Sequence, residues 1–315
     1  DLTTLTDSGI SSGDNLTNDP TPDFSVSGVD GNTISVFADV NNDGVFNAGD
    51  IALGSAVVAG GVATITAAPD MLDGPYVIRA TQTDLGGNVS AASSPLAITI
   101  DTVVPSTATP ALDLITADDS GSSSTDNRTN KTAYTINATG LEPGATVELK
   151  EGATVIATAI VSAGGTASFS LTGATEGAHN YVVAQTDAAG NVSTTATLLT
   201  VTVDVTAPAA PTADLVATSD TGSSSTDNIT SDTTPTISGA PVEPGAIVTL
   251  YDSDGTTVLG TTVADGSGNW SITPSSILSS GVHTFTTKQT DTAGNQGPAS
   301  APLAVNIVTG APIPG

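Results

Sequence analysis

Three copies of one sequence pattern follow one another along the chain, and this repetition constrains the fold more than any other feature. The first motif, D-[ST]-G followed by D-N, occupies residues 7–15, 119–127 and 220–228. The second motif, T-D-x-x-G-N, recurs after 103 and then 104 residues, at 83–88, 186–191 and 290–295. Such regular spacing indicates tandem structural units. We predict three domains, at 1–104, 105–207 and 208–315.

Short runs of alternating apolar and polar residues predict strands in each unit. Residues 146–150 alternate with period two, and Trp270 and Ile272 fall on one face of a strand. Between these runs lie turn sequences rich in Gly, Pro and Asp. We predict an all-β fold of three tandem immunoglobulin-like β-sandwich domains, although the Cys–Trp–Cys signature of antibody domains is absent.

The charge balance excludes several classes of partner. Asp and Glu number 32 against 5 Lys and Arg, so the formal net charge is −27. Nucleic acids and anionic membranes both require clustered basic residues, so neither is an expected partner. No apolar run reaches the roughly 18 residues of a membrane-spanning helix, and there is no Cys. We expect no membrane insertion, no thiol chemistry and, without a catalytic motif, no enzymatic activity.

The order of the motifs resembles a known family. D-[ST]-G-x-S-S-x-D-N, then E-P-G-A, then T-D-x-A-G-N, then D-x-x-x-P is similar to the bacterial Ig-like repeats of giant type I-secreted adhesins, of the SiiE type and the biofilm-associated type. Residues 30–33 depart from E-P-G-A in the first unit, and Val308 replaces the linker Asp after the third.

The resemblance implies a monomeric, secreted, cell-surface rod whose partners are its own neighbouring repeats, with calcium between domains. It also implies a role in cell adhesion, biofilm formation and virulence. Host-cell glycans or proteins are expected to bind through other parts of a longer protein.

Recurring carboxylates predict metal sites at the joints between units. With immunoglobulin-like strand order, Asp7, Asp14 and Asp101 approach the first joint from one side, and Glu142 and Asp187 approach it from the other. At the second joint the equivalent residues are Asp119, Asp126, Asp204, Glu243 and Asp291. The same positions at the outer ends, Asp84, Asp220 and Asp227, complete the predicted set. Convergent carboxylates repel unless a cation is present, and oxygen ligands in a flexible loop suit Ca²⁺. The alternative is that each Asp caps a turn through local hydrogen bonds.

A second type of calcium site is predicted inside the first unit. Residues 39–50 place oxygen ligands at the positions of a twelve-residue calcium loop, with Gly44 at the sharp turn. The predicted ligands are Asp39, Asn41, Asp43, Val45, Asn47 and Asp50. The flanks are predicted strands, so this loop lacks the usual helix pair. The alternative is an ordinary hairpin loop rich in Asn, Asp and Gly.

These patterns favour a structural function. We expect a calcium-rigidified spacer segment of an extracellular bacterial adhesin, which holds a distal binding region away from the cell. The alternative is a module that itself binds a glycan or a protein. Such a module requires an exposed aromatic cluster or a loop found in one unit only.

Overall fold

The computed structural model describes residues 1–105, 110–193 and 198–310, and it confirms the predicted all-β architecture. A search of these ranges for a helix that could span a membrane finds none. Two compact units make up the chain. The first comprises Asp1–Leu112, Asn137–Phe169 and Tyr181–Leu199, and the second comprises Asp113–Ile136, Ser170–Asn180 and Thr200–Gly315. The units do not follow the three repeats, and the predicted domain boundaries stay a prediction.

The first repeat folds into two sheets around one core. Its strands are β1 (Leu16–Thr17), β2 (Asp23–Ser27), β3 (Thr33–Ala38), β4 (Ile51–Val57), β5 (Val62–Thr66), β6 (Gly74–Thr83) and β7 (Leu96–Ile100). One sheet has the order β1-β7-β6-β3-β4, and the other pairs β2 with β5. Side chains from both sheets, among them Phe24, Ile65 and Ile98, share the core because apolar residues alternate along the strands.

The middle repeat has nine strands in the described residues. They are β8 (Ala111–Leu114), β9 (Arg128–Thr129), β10 (Tyr134–Thr139), β11 (Thr146–Glu151), β12 (Thr154–Ile160), β13 (Thr166–Leu171), β14 (Gly177–Thr186), β15 (Val192–Ser193) and β16 (Leu199–Val203). They form a sheet of order β13-β10-β8 and a sheet of order β12-β11-β14-β16-β9, with β15 beside β14. Strand β11 confirms the strand predicted at 146–150.

The third repeat shares the five-stranded sheet of the first and has a three-stranded second sheet. Its strands are β17 (Asp214–Leu215), β18 (Ile229–Thr230), β19 (Ile237–Gly239), β20 (Ile247–Tyr251), β21 (Val258–Val263), β22 (Trp270–Ile272), β23 (Gly281–Thr290) and β24 (Leu303–Ile307). The sheets have the orders β17-β19-β22 and β18-β24-β23-β20-β21. Trp270 and Ile272 both point into the core, as predicted.

A short parallel strand pair places the D-[ST]-G motif in each repeat. The two-residue strands β1, β9 and β18, which follow the motif, pair in parallel with the last strand of their repeat, β7, β16 or β24. A buried threonine ends each short strand: Thr17, Thr129 or Thr230. The motif therefore lies beside the point where the chain leaves its repeat. Residues 7–15, 119–127 and 220–228 are called the motif loops below, and residues 84–88, 187–191 and 291–295 are called the receiving loops.

Candidate functional site

The first aspartate of each motif loop is buried. Asp7, Asp119 and Asp220 are 4%, 5% and 5% exposed. In each, Oδ2 accepts a hydrogen bond of 3.2–3.4 Å from the backbone N–H of the asparagine eight residues later. Oδ1 is buried in all three and has no hydrogen-bond partner in the described part of the chain. Leaving a buried charged oxygen unpaired is costly, so these oxygens fit the donor set of a cation site.

The second aspartate of the motif loop adds negative charge to the first. Burial raises the pKa of Asp7, an effect that the Asn15 N–H opposes and the charge of Asp14 increases. The pKa of Asp119 is raised for the same reason, and Asp126 contributes to that shift. Asp14 and Asp126 themselves are exposed. In the first two motif loops the structure thus places the two acids close together.

Three further acids meet where the second repeat joins the third. Burial and then the charges of Asp291 and Asp204 raise the pKa of Glu243. Asp291 is 2% exposed. The backbone N–H of Glu243 donates to Oε1 of Gln289 at 3.0 Å, and that of Glu142 donates to Gln185 at 2.7 Å. The two joints therefore hold their glutamates in the same way.

An asparagine connects each linker to the receiving loop of the next repeat. Nδ2 of Asn191 donates to the carbonyl oxygen of Asp101 at 2.8 Å and to Oδ2 of Asp187 at 2.9 Å. Nδ2 of Asn295 repeats both bonds, to the carbonyl of Asp204 at 2.7 Å and to Oδ2 of Asp291 at 2.8 Å. Each linker aspartate thus contributes its backbone carbonyl to the junction.

Sequence reasoning missed these asparagines because it considered carboxylates alone. For the same reason it missed the glutamine that stands two residues before each receiving-loop aspartate, which is Gln82, Gln185 or Gln289. Their recurrence in all three repeats was the signal that could have found them.

The motif loop contacts the receiving loop directly. Ser8 Oγ donates to the carbonyl of Ala189 at 2.7 Å, and the Ile10 N–H donates to the carbonyl of Ala188 at 3.2 Å. At the second joint Ser120 Oγ hydrogen-bonds to the carbonyl of Ala293. The first junction therefore consists of loop 7–15, Asp101 and loop 187–191, with Glu142 beside it. The second consists of loop 119–127, Asp204 and loop 291–295, with Glu243 beside it.

Basic groups are scarce near these acids but not absent. Nζ of Lys131 lies 2.8 Å from Oδ1 of Asp118, the residue before Asp119. The equivalent position in the first repeat is Asp19. Lys131, two residues after the short strand β9, thus places an ammonium group beside the residue that precedes the motif-loop aspartate of the second repeat.

The residues predicted at the outer ends differ in burial. Asp84 is exposed, and hydrogen bonds from the Asn88 side chain, the Asn88 N–H and the Gly86 N–H hold its pKa below the usual range. Asp227 is also exposed, whereas Asp220 is as buried as its counterparts. The hydrogen bonds of Asp84, Asp220 and Asp227 in the described residues all lie within their own repeat.

The predicted calcium loop at 39–50 closes around its own side chains. Nδ2 of Asn41 and Nδ2 of Asn47 donate to Oδ2 of Asp43 at 2.9 and 3.0 Å. Asp50 accepts from the N–H groups of Val40 and Asn47. The carbonyl of Val45 accepts from Asn47 at 3.1 Å. Five of the six predicted ligands therefore lie in one hydrogen-bonded or sequence-adjacent group.

Asp39, the sixth predicted ligand, already has a cationic partner. Arg79 Nε donates to its Oδ2 at 2.7 Å, and the N–H groups of Asp43 and Gly44 donate to its two oxygens. Burial raises the pKa of Asp39, but hydrogen bonds from Gly44, Arg79 and Asp43 outweigh it, so the pKa lies below the usual range. Sequence reasoning did not foresee this arginine.

The chemistry of the donor set suits a hard cation, because carboxylate, amide and carbonyl oxygens predominate at both kinds of site. Within the described ranges, however, no three Asp, Glu, His or Cys side chains are arranged so that they could hold a metal ion by themselves. A bound ion would need carbonyl or amide oxygens as well. Calcium therefore stays a prediction.

Comparison with known proteins identifies the repeats. The family model of the bacterial Ig-like domain matches residues 1–102, 106–205 and 206–309. A tetra-tandem repeat from the extending region of a large adhesion protein is 21% identical, with TM-score 0.31, over 93% of this chain and 72% of that chain. A structure of a 1.5-MDa bacterial ice-binding adhesin is 18% identical, with TM-score 0.32, over 92% of each chain.

Fibronectin(III)-like modules of Clostridium thermocellum CbhA are 22% identical, with TM-score 0.36, over 63% of this chain and 94% of that chain. No curated protein matches the sequence. The three successive family matches cover almost the whole chain and confirm the predicted immunoglobulin-like repeats. The chain belongs to the bacterial Ig-like domain family.

Proposed function

We propose that this chain is a calcium-rigidified spacer segment of a large, secreted bacterial adhesin of the SiiE or biofilm-associated type. Its role is to hold a distal binding region away from the cell surface. Its partners are the neighbouring repeats of the same chain, and host glycans or proteins bind elsewhere in the longer protein. The function is mechanical rather than catalytic.

The observation that carries this proposal is the matching arrangement of acids at the two junctions. Each junction combines a buried motif-loop aspartate with an unpaired oxygen, a linker aspartate, a glutamate and the aspartate of a receiving loop. At the second junction the charges of Asp291 and Asp204 both act on Glu243. Calcium between them would replace repulsion by attraction and couple the two repeats, since the ligands come from both.

Calcium also fits the charge of the whole chain. A formal charge of −27 over 315 residues opposes compact packing of the repeats. Ions bound to the folded state alone stabilise it by mass action. A spacer that is softer without calcium and stiffer with it would suit a calcium-rich medium outside the cell.

The loop at 39–50 would hold a calcium ion of its own. Asn41, Asp43, Val45, Asn47 and Asp50 supply oxygens of the type that Ca²⁺ prefers. Arg79 would have to share Asp39 with the ion, so we expect weak binding, of the order of 10⁻⁴–10⁻³ M as in extracellular calcium modules.

Solution scattering of the chain in millimolar calcium and in chelator tests the spacer role. We expect a longer maximum dimension and a narrower distribution of lengths with calcium, and native mass spectrometry should count bound ions in the same samples. Identical scattering in both media, with no retained calcium, would refute the proposal.

One observation favours the second candidate function, ligand binding. A cavity of about 640 Å³ lies on the first repeat between the 39–50 loop and residues 89–92, and Phe37, Phe46, Ser55 and Thr81 are among the residues that line it. Phe46 is 53% exposed, and its ring centroid lies 5.2 Å from that of buried Phe37. Aromatic rings beside hydroxyl groups are suited to sugar rings. Micromolar binding on a glycan array that Phe46→Ala abolishes would favour this function.

A further inference from the structure

The two junctions bring backbone against backbone at a pair of glycines. Gly9, in the first motif loop, has φ +91°, and a Cβ atom on it would lie 2.0 Å from the carbonyl oxygen of Ala188. Gly190, in the receiving loop, has φ +97°, and its Cβ would lie 2.9 Å from the nitrogen of Gly9. Neither glycine can carry a side chain without moving the other loop.

The second junction repeats this geometry. Gly121 has φ +92°, and its Cβ would lie 2.1 Å from the carbonyl oxygen of Thr292. Gly294 has φ +97°, and its Cβ would lie 2.9 Å from the nitrogen of Gly121. Because the same two positions meet at the same distances in both junctions, the glycine contact belongs to the way successive repeats associate.

The outer ends show the same two loops without a partner in the described residues. Gly87, in the first receiving loop, has φ +86°, and nothing lies within 4 Å of its Cβ position. The receiving loop therefore takes its conformation on its own. Gly222, in the third motif loop, lies outside the left-handed region, and its Cβ would meet the carbonyl of Ile229 at 2.9 Å. Only the motif-loop glycine differs in backbone conformation between a docked and a free loop.

We propose that the motif loop and the receiving loop form a docking surface that binds another repeat of this family by direct backbone contact. The contact requires glycine at the third position of the motif loop and at the fourth position of the receiving loop. The motif-loop glycine enters the left-handed region when the next repeat docks, and the Ser hydroxyl and the Ile10 N–H then donate to receiving-loop carbonyls. The free halves, at 84–88 and 220–228, fit further repeats that carry the complementary loop. The proposal does not depend on calcium, since every contact that carries it lies between protein atoms.

The sharpest test compares Gly190→Ala with Gly87→Ala in the whole chain. Both replace a left-handed glycine of the same motif, so both add the same local strain, but only Gly190 faces another loop. We expect the Ile10 amide to exchange about tenfold faster or more in Gly190→Ala, and scattering to report a broader range of lengths. Gly87→Ala should change neither measurement.

Gly9→Ala and Gly222→Ala extend the test to the motif loop. Gly9→Ala should raise Ile10 exchange as Gly190→Ala does, whereas Gly222→Ala, whose Cβ would meet the Ile229 carbonyl oxygen of its own repeat, should leave Ile10 exchange unchanged. Running all four variants in chelator as well as in calcium separates this proposal from the calcium proposal, because the docking effect should persist in chelator. Equal Ile10 exchange and equal scattering for Gly190→Ala and Gly87→Ala would overturn the docking surface. Loss of the β-sheet circular dichroism signal in Gly9→Ala and Gly190→Ala alone would also overturn it, since the glycines would then serve the fold of one repeat.

Discussion

The free receiving loop of the first repeat and the docked receiving loops of the other two have one internal design. Oδ1 of Asp84, Asp187 or Asp291 accepts the N–H of the asparagine four residues later, and Oδ2 accepts the Nδ2 of that asparagine. What differs is burial. Asp84 is exposed, whereas Asp187 and Asp291 are 4% and 2% exposed.

The difference shows what each part of the motif does. The Asp–Asn hydrogen bonds shape the loop whether or not a neighbour is present, so they belong to local structure. Docking adds two features: burial of the aspartate, and the bond from Asn191 or Asn295 to the linker carbonyl. The same turn motif is thus part of an interface where a neighbouring repeat lies against it, and an ordinary turn where none does.

The largest expected effect separates the docked aspartate from the free one. Asp291→Ala removes a buried carboxylate that accepts hydrogen bonds from Ala293 and Asn295, and we expect it to lower the free energy of unfolding by about 3 kcal/mol. Asp84→Ala removes similar bonds at an exposed site and should cost much less. Urea unfolding measures both variants, and equal losses would break the comparison.

The linker aspartate should affect the junction more than either repeat. Asp204→Ala deletes one of the acids that act on Glu243, so we expect a broader distribution of lengths in scattering at saturating calcium, with little change in melting temperature. Val308→Ala is the matched control, because Val308 stands at the linker position after the third repeat. Unchanged scattering for Asp204→Ala would mean that the short Pro-containing linkers keep the repeats aligned.

The 39–50 loop offers a predicted calcium site away from any junction. Asp43→Ala should remove one calcium from the first repeat and leave the junction ions in place, because consecutive residues supply this loop. Asp70→Ala removes the same charge at an exposed site of the same repeat. Native mass spectrometry counts the ions, and an unchanged count in Asp43→Ala would identify the segment as a hairpin loop only.

The smallest expected effect is a pH dependence that calcium removes. Burial raises the pKa of Asp7, Asp119 and Glu243, so the folded chain binds protons there more tightly than the unfolded chain does. In chelator the free energy of unfolding should rise as the pH falls from 7 toward these raised values.

Below a pH of about 4 the stability should fall again, because Asp39 and Asp254 have lowered pKa values, that of Asp254 to about 2, and lose their hydrogen-bonded charge. In calcium the rise between pH 7 and 5 should be absent, since the ion already neutralises the raised groups. Urea unfolding across this range checks the two profiles, and identical profiles would contradict the assignment.

The sequence predicted the elements that depend on local pattern. Alternation along 146–150 and the shared face of Trp270 and Ile272 follow from the pleat of a strand, and both are confirmed. Pairing of the motif loop with the receiving loop was predictable because immunoglobulin-like strand order puts them at one joint.

Individual side-chain contacts between residues far apart in sequence were not predictable, although the meeting of the two loops was. Arg79 meets Asp39 across 40 residues, and Asn191 meets the Asp101 carbonyl across 90. Arg79 occurs in one repeat only, so no recurrence in the sequence points to it. A hydrogen bond to a backbone carbonyl does not depend on the side chain of the residue that provides the carbonyl, so the sequence does not indicate that bond. The glycine contact escaped for a similar reason, since glycine in a loop ordinarily indicates a turn.

Thermal melting of the whole chain in millimolar calcium and in chelator tests the central claim most directly. If calcium binds the junction acids of the folded chain, it stabilises that state by mass action, and the melting temperature should rise with calcium concentration. Chelation should lower it by unmasking the repulsion that Asp291 and Asp204 exert on Glu243. Superimposable melting curves in the two media would contradict the claim.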